Sequence, residues 1–352
     1  MKIIYNTNIM KRITKIICTL GPACNDEQIL ASMNSEGMDI SRLNMSHGTH
    51  ETHQALVDKI APLRKKHGLK LLVDTKGPEI RIGTFKDGSI MLEDGATFTF
   101  TIKDVVGSSK RVSLKYKNLI NEVRAGSRIF ANNGMLVLEV MEVTDTDIIC
   151  RVLFGGKLSN NKGLNVPGVI PSTPYLSEVD KADILFAIKN QADFLAISFV
   201  SNKQNVLDVR KFLAENGGEN IKIISKIENA SGVEHIESIL SASDGLMVAR
   251  GDLGVEIPLE KIPPIQKKLI SLCNVNRKMV VVATEMLESM TTSTRPTRAE
   301  VNDVANAIYE EATATMLSGE TASGIDPVGV VRTMAKIINE AEKHIYGIKV
   351  KL

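Results

Sequence analysis

Two features of the sequence predict an α/β protein built on a parallel (β/α)8 barrel. Eight short apolar runs alternate with longer amphipathic stretches, and one long interruption of different texture follows the third run. The runs are 13–20, 38–45, 69–74, 193–200, 221–227, 245–249, 278–283 and 313–317. Helical patterns follow them at 27–34, 51–66, 177–190, 203–216, 232–241, 259–276, 298–311 and 327–344. Parallel neighbours need a crossover, and an alternating pattern supplies one after every strand. An open doubly wound sheet alternates in the same way, but eight units favour closure.

The first run is closed by Gly21-Pro22, and Asp26 stands where it can cap the helix that follows. In 203–216 the residues Val206, Val209 and Leu213 recur at helical spacing. Thr297 precedes Arg298-Ala299-Glu300, the arrangement of a capping box. The interruption, 82–167, reads differently. Thr97 to Ile102 alternates with period two, as do parts of Met135 to Val140, and Asp87-Gly88, Asp94-Gly95 and Asn133-Gly134 mark turns. The expected organisation is therefore a barrel formed by 1–81 and 168–352, with a small all-β lid domain, 82–167, inserted after strand three. Loops that follow barrel strands carry function, so an insertion there is a natural lid.

The bulk numbers exclude several classes. Among 352 residues, 43 basic and 41 acidic side chains give a net charge of +2. With no strongly basic field and an aromatic content of only 4%, a nucleic-acid partner is not expected. The cysteines Cys18, Cys24, Cys150 and Cys273 form no C-x-x-C pair, so free thiols in a reducing compartment are expected. Met1-Lys2-Ile3-Ile4-Tyr5-Asn6 lacks the apolar core of a signal peptide, and no run approaches a membrane span. The expectation is a cytoplasmic protein without a membrane partner.

The chemistry gathers at strand ends. Arg42, Asn44 and Ser46 follow strand two, and Asp74, Thr75, Lys76 and Arg81 follow strand three. Strand five ends in Ser225-Lys226-Ile227-Glu228, strand six in Arg250-Gly251-Asp252 and strand seven in Thr284-Glu285. A lone Lys or Glu at such a place is ordinarily a solvated terminus, and a lone Asp before a helix is ordinarily a cap. The recurrence at one rim points to a site instead. Glu228 and Asp252, from adjacent strand ends, suit a hard cation such as Mg2+. Lys226 shares a strand face with Glu228 and suits an anionic, phosphate-bearing transition state. Gly251-Asp252-Leu253-Gly254 permits close backbone approach, and its amides can receive a carboxylate.

Seven segments carry a resemblance over essentially the whole chain. They are Cys18-Thr19-Leu20-Gly21-Pro22-Ala23, Arg42-Leu43-Asn44-Met45-Ser46-His47-Gly48, Asp74-Thr75-Lys76-Gly77-Pro78-Glu79-Ile80-Arg81, Ser225-Lys226-Ile227-Glu228-Asn229, Val248-Ala249-Arg250-Gly251-Asp252-Leu253-Gly254, Arg295-Pro296-Thr297-Arg298-Ala299-Glu300 and Met316-Leu317-Ser318-Gly319-Glu320-Thr321-Ala322. In this order they resemble the pyruvate kinase family, which moves phosphate from phosphoenolpyruvate to ADP. The resemblance implies that Glu228 and Asp252 hold Mg2+ or Mn2+. It implies that Asn44, Ser46, Asp74 and Thr75 surround K+, and that Arg42 and Lys226 neutralise the transferring phosphoryl group. Gly251 and Asp252 amides with the Thr284 hydroxyl would hold the substrate carboxylate, with Thr284 near the protonated face of the enolate. Asn44, His47, Arg81 and the lid residue Lys162 would serve ADP or ATP.

Three departures from the family pattern stand out. Glu285 occupies a place usually held by Gln, and Asn132-Asn133-Gly134 replaces an Asp-Asp-Gly turn. The sequence stops at Leu352, where family members normally continue with a C-terminal α/β domain of ~120 residues. The expectation drawn from this is a possible homo-oligomer through the barrel, with a tetramer doubtful and no sugar-phosphate regulation. Two other readings compete. One is an aldolase-type lyase using Lys226 as a Schiff base or a metal-bound enolate; the other is a non-catalytic homologue.

Overall fold

The computed structural model describes residues 12–132 and 134–349. The segment Met1 to Asn6, read above for a leader, and Asn133, read above as part of a turn, lie outside the described residues. The barrel strands are β1 (Lys15–Thr19), β2 (Ile40–Asn44), β3 (Lys70–Asp74), β4 (Phe194–Ile197), β5 (Lys222–Ile227), β6 (Gly245–Ala249), β7 (Met279–Ala283) and β8 (Ala314–Leu317). They close in the order β1-β8-β7-β6-β5-β4-β3-β2. Pairings such as Ile17 with Met316 and Ile224 with Gly245 run parallel.

The apolar runs are continuous because such strands are covered on both faces. β6 is buried at all five positions. Its first residue must be glycine, since a Cβ on Gly245 would lie 2.6 Å from the Met279 carbonyl oxygen. Each strand starts one or two residues inside the expected run or at its edge, where pairing rather than hydropathy sets the limit.

The chain divides into two compact units. One comprises the described parts of Met1–Leu43 and Val280–Leu352 with Gln54–Lys70; the other comprises Asn44–His53 and Leu71–Met279. In the first, Asp26 accepts hydrogen bonds from the Gln28 and Ile29 amides, and Thr297 and Glu300 form the expected capping box. The first unit also buries an acid without a strand: Glu342 accepts from the Thr14 amide at 2.7 Å.

In the second unit, the expected all-β segment also contains one short helix, Leu119–Glu122, and makes a sheet of seven strands. Their order is Ile80–Arg81, Gly163–Asn165, Arg128–Ala131, Leu136–Val143, Asp147–Phe154, Thr97–Thr101 and Arg111–Ser113. A two-stranded ribbon, Ser89–Leu92 with Gly156–Ser159, accompanies it. The period-two pattern of Thr97–Thr101 turns Phe98 and Phe100 inward, and their rings meet edge to face at 5.4 Å. Gly88 and Gly95 take positive φ, as their turns require.

Two helices differ from the sequence pattern. The stretch 232–241 becomes two pieces, Ala230–Glu234 and Ile236–Ala242. Asn229 caps the first piece at the Gly232 amide, and the chain redirects at His235 to bury Ile236, Ile239 and Leu240. The stretch 259–276 opens with a 3-10 turn, Leu259–Lys261, before the helix Ile262–Val275. Pro263 and Pro264 favour a helix start there because they lack the amide that a helix interior requires. A short helix, Arg250–Glu256, forms where the sequence pattern shows none. All four cysteines are free and buried, and burial pushes the Cys150 and Cys273 thiols up to about 12. No helix among the described residues is long and apolar enough to cross a membrane.

Candidate active site

At the carboxyl ends of β3, β4 and β5, charges are buried together. The Lys226 ammonium lies 2.9 Å from Glu228 Oε1, 3.3 Å from Asp74 Oδ1, and donates to Ser198 Oγ at 2.7 Å. Asp74 and Glu228 are fully buried, so neither carboxylate has bulk water to offset its charge. Glu228 Oε2 also accepts from the Phe199 amide at 2.6 Å. Burial pushes the Glu228 carboxyl up to about 7; Lys226 opposes the rise and Asp252 adds to it.

Phe199, whose amide meets Glu228, adopts φ +56°, a conformation that a bulky residue rarely takes. Such strain costs about 1–3 kcal/mol and persists where the surroundings over-determine it. The surroundings here are specific. Ser198 Oγ donates to the Thr75 carbonyl at 2.7 Å, and a Cβ on Gly77 would come within 2.9 Å of the Ser198 carbonyl oxygen.

The Asn44 side chain accepts from the Ser46 amide at 3.2 Å, closing a turn after β2. The Met45 amide donates to the Asp74 carbonyl at 3.0 Å, which joins that turn to the end of β3. His47 is exposed, and its carbonyl lies 2.7 Å from His53 Nε2. His50 Nε2 meets Asp183 Oδ1 at 2.6 Å while its ring stacks on Phe186.

At the outgoing neck of the insertion, Arg81 Nε donates to Glu79 Oε2 at 2.5 Å and its Nη1 to the Asn161 carbonyl at 2.8 Å. Lys162 accepts from the Ile82 amide at 3.0 Å through its carbonyl, just before the strand Gly163–Asn165 whose Gly163 pairs with Arg81. Burial raises the Glu79 carboxyl, and Arg81 partly offsets this.

Asp252 lies in the first turn of Arg250–Glu256, with Gly251 before it. Its negative charge raises Glu228, Glu79 and Glu256 alike, although burial is the larger cause for each. Among the described residues no group of three or more His, Cys, Asp or Glu side chains could hold a metal by itself. A pair of carboxylates does suit Mg2+ or Mn2+, which take one or two protein oxygens and complete the shell with substrate and water. Asn44 Oδ1, the Ser46 hydroxyl, Asp74 and the Thr75 carbonyl are oxygen donors of the kind a monovalent cation takes.

The first unit holds the other expected residues. Arg42 is buried, and its Nη1 donates to Thr19 Oγ1 at 2.8 Å. Thr284 and Glu285, just after β7, both take positive φ, +67° and +54°. The Thr284 hydroxyl donates to the Ala283 carbonyl at 2.6 Å, and Glu285 is exposed. Fully buried Glu320 accepts from the Leu287 amide at 3.2 Å and the Ser318 amide at 2.6 Å, fastening the loop that follows β7.

Several positions carry the geometry without having been singled out as site residues. Ser198 and Phe199 look in the sequence like the end of an apolar run, and Tyr175 and Asp180 like a loop and a helix start. Glu320 lies in the segment Met316–Ala322, which carries the resemblance without implying a role for it. The available signal was weak: a Ser-Phe pair at a strand end, where neighbouring strands ended in charge.

A closed parallel barrel, a largely β insertion after β3, and buried carboxylates facing one ammonium at the strand ends define the class of this protein as a (β/α)8 barrel with an inserted β-sheet domain. The family model for the barrel domain of pyruvate kinase matches residues 11–331, and the chain belongs to the pyruvate kinase family. It is similar to the pyruvate kinase of Staphylococcus haemolyticus, 47% identical over 335 residues, which is 94% of this chain and 57% of that protein. It is 45% identical to the Clostridium perfringens pyruvate kinase over 94% of this chain and 71% of that protein. A crystal structure of a pyruvate kinase from Cryptosporidium parvum superposes with TM-score 0.89 at 44% identity, covering 94% of this chain and 70% of the other. The chain thus spans somewhat over half the length of the first of these relatives.

Proposed function

We propose that this chain transfers the phosphoryl group of phosphoenolpyruvate to ADP, giving ATP and pyruvate. The observation that carries the reading is the Lys226 ammonium held between the buried carboxylates of Asp74 and Glu228. Phosphoryl transfer needs positioning and charge neutralisation more than covalent chemistry, and a buried, fixed cation beside oxygen donors for a metal supplies both. A Schiff-base lyase would need a desolvated free amine instead, which two carboxylates disfavour.

In this reading Glu228 and Asp252 hold Mg2+ or Mn2+, which would supply electrophilic neutralisation of the phosphate oxygens. Asn44, Ser46, Asp74 and Thr75 hold K+. Lys226 and Arg42 neutralise the moving group, and the Gly251 and Asp252 amides with Thr284 orient the substrate carboxylate. Asn44, His47, Arg81 and Lys162 serve the nucleotide, and 82–167 acts as the lid. A cytoplasmic setting accords with four buried free thiols. Exposed Glu285 need not crowd the anionic substrate. The test is pyruvate formation from phosphoenolpyruvate and ADP, coupled to lactate dehydrogenase, with and without chelator. Metal-dependent pyruvate formation is expected; its absence, or borohydride trapping of pyruvate on Lys226, would refute the reading.

A further inference from the structure

The segment that returns from the insertion is tied down at successive points within the second unit. The Gly168 amide donates to the carboxylate of Glu256. The Ser172 amide donates to the Tyr116 hydroxyl at 2.9 Å, and Asn118 Nδ2 donates to Ser172 Oγ at 2.8 Å. The third tie differs in kind. The Tyr175 hydroxyl donates to the Ser198 carbonyl at 2.6 Å. Two residues later Ser177 caps the helix Glu178–Lys189, whose Asp180 accepts from the Gly77 amide at 2.8 Å. Outgoing and returning necks of the insertion are therefore both fastened beside Ser198.

The Ser198–Phe199 turn is where these ties meet the charges. Ser198 Oγ receives the Lys226 ammonium, and the Phe199 amide holds Glu228. The turn is strained at Phe199, so it needs external restraint. Tyr175 grips the Ser198 carbonyl from the returning segment, while Ser201 Oγ donates to the Phe199 carbonyl at 3.2 Å. Burial raises the phenol well above its usual range, and the negative charges of Asp180, Glu228 and Asp74 add to this, which places the hydroxyl among the same carboxylates and keeps it a donor.

We propose that Tyr175 is a positioning residue: its hydroxyl fixes the Ser198–Phe199 turn and so links the return segment of the insertion to the placement of Lys226 and Glu228. The catalytic consequence rests on the phosphoryl-transfer reading above; the mechanical link does not. The direct test is Tyr175→Phe, which keeps the ring and removes one hydrogen bond. Amide exchange at Phe199 should quicken about tenfold, since it reports local opening. The turnover number should fall about threefold to tenfold, the size of one buried hydrogen bond expressed in a rate, and the half-saturating Mg2+ concentration should rise. KM for ADP should stay unchanged. A tyrosine that merely fills space would lower the melting temperature and leave Phe199 exchange and turnover as they were. Unchanged Phe199 exchange overturns the proposal whatever turnover does, and faster exchange with unaltered turnover and Mg2+ dependence overturns the catalytic link. If the wild type forms no pyruvate, the reaction assignment fails while the exchange comparison still decides the mechanical link.

Discussion

The largely β insertion and the barrel bury side chains of different kinds. The insertion's core, from Ile80 to Val166, is apolar throughout, with Phe98, Phe100, Ile129 and Leu138 at its centre. Of the buried polar and charged side chains among the described residues, only Thr101 falls within 82–167. The barrel segments bury Arg42, Asp74, Asp180, Asp183, Glu228, Glu320 and Glu342. Burying an ionised group is costly unless it is paired, and replacing such pairs by apolar residues often stabilises a protein. The interior of the insertion is thus apolar but for Thr101, whereas the barrel keeps costly charge inside, on helices and, with Asp74 and Glu228, at strand ends where chemistry can use it.

The largest effect that should separate the two regions is on turnover. Glu228→Gln or Asp252→Asn should lower it by several orders of magnitude, as removal of a metal carboxylate does, with circular dichroism unchanged. Lys226→Met should abolish transfer with a modest loss of phosphoenolpyruvate binding, because the remaining contacts persist. Near-normal rates in these variants would erase the distinction between the regions.

The converse experiment is Phe98→Ala, in the insertion. It should destabilise by about 3–5 kcal/mol in denaturant unfolding, the usual result for a large core truncation. Amide exchange in β5 and β6 should remain slow if the barrel is held by its own core. A global loss of protection would show that the two regions unfold as one.

A smaller effect concerns Glu256, which holds the Gly168 amide just after the insertion ends. Burial pushes its carboxyl up from 4.5 to about 7. A raised folded-state value favours the neutral form, so its contribution to stability is full below about 4.5 and is lost as pH rises through about 7. Glu256→Gln keeps an acceptor for Gly168 and cannot ionise. It should therefore stabilise the protein at pH 8 by about 2 kcal/mol and have little effect at pH 5, read by thermal melts. Equal shifts at both values would mean that Glu256 is not held neutral.

The subtlest test is the monovalent ion. Glu79 is paired with Arg81 at the neck. K+ should activate the enzyme, and Glu79→Lys should weaken that dependence by supplying a fixed ammonium. Equal rates in K+ and in a bulky organic cation would contradict the assignment.

The barrel strands were legible because burial on both faces leaves an unbroken apolar run, and Thr97–Thr101 because burial on one face leaves alternation. The capping residues Asp26 and Thr297 were legible because a cap acts within one turn. Lys226 and Glu228 were legible as charges at a strand end. Their neighbours were not: Phe199 acts through its amide and a left-handed φ that residue type does not announce, and the Ser198 and Tyr175 hydroxyls find partners far away in sequence. The helix Arg250–Glu256 escaped because two glycines in seven residues read as a loop. The split at His235 escaped because Asn229 looks like an ordinary polar residue until its cap is seen.

The claim that the barrel's buried charges perform phosphoryl transfer is tested most directly by phosphorus NMR of phosphoenolpyruvate, ADP, Mg2+ and K+ with the wild type and with Glu228→Gln. The account predicts that the phosphoenolpyruvate signal gives way to the γ-phosphate of ATP with the wild type and persists with the variant. Persistence with both proteins, or equal conversion by both, would contradict it.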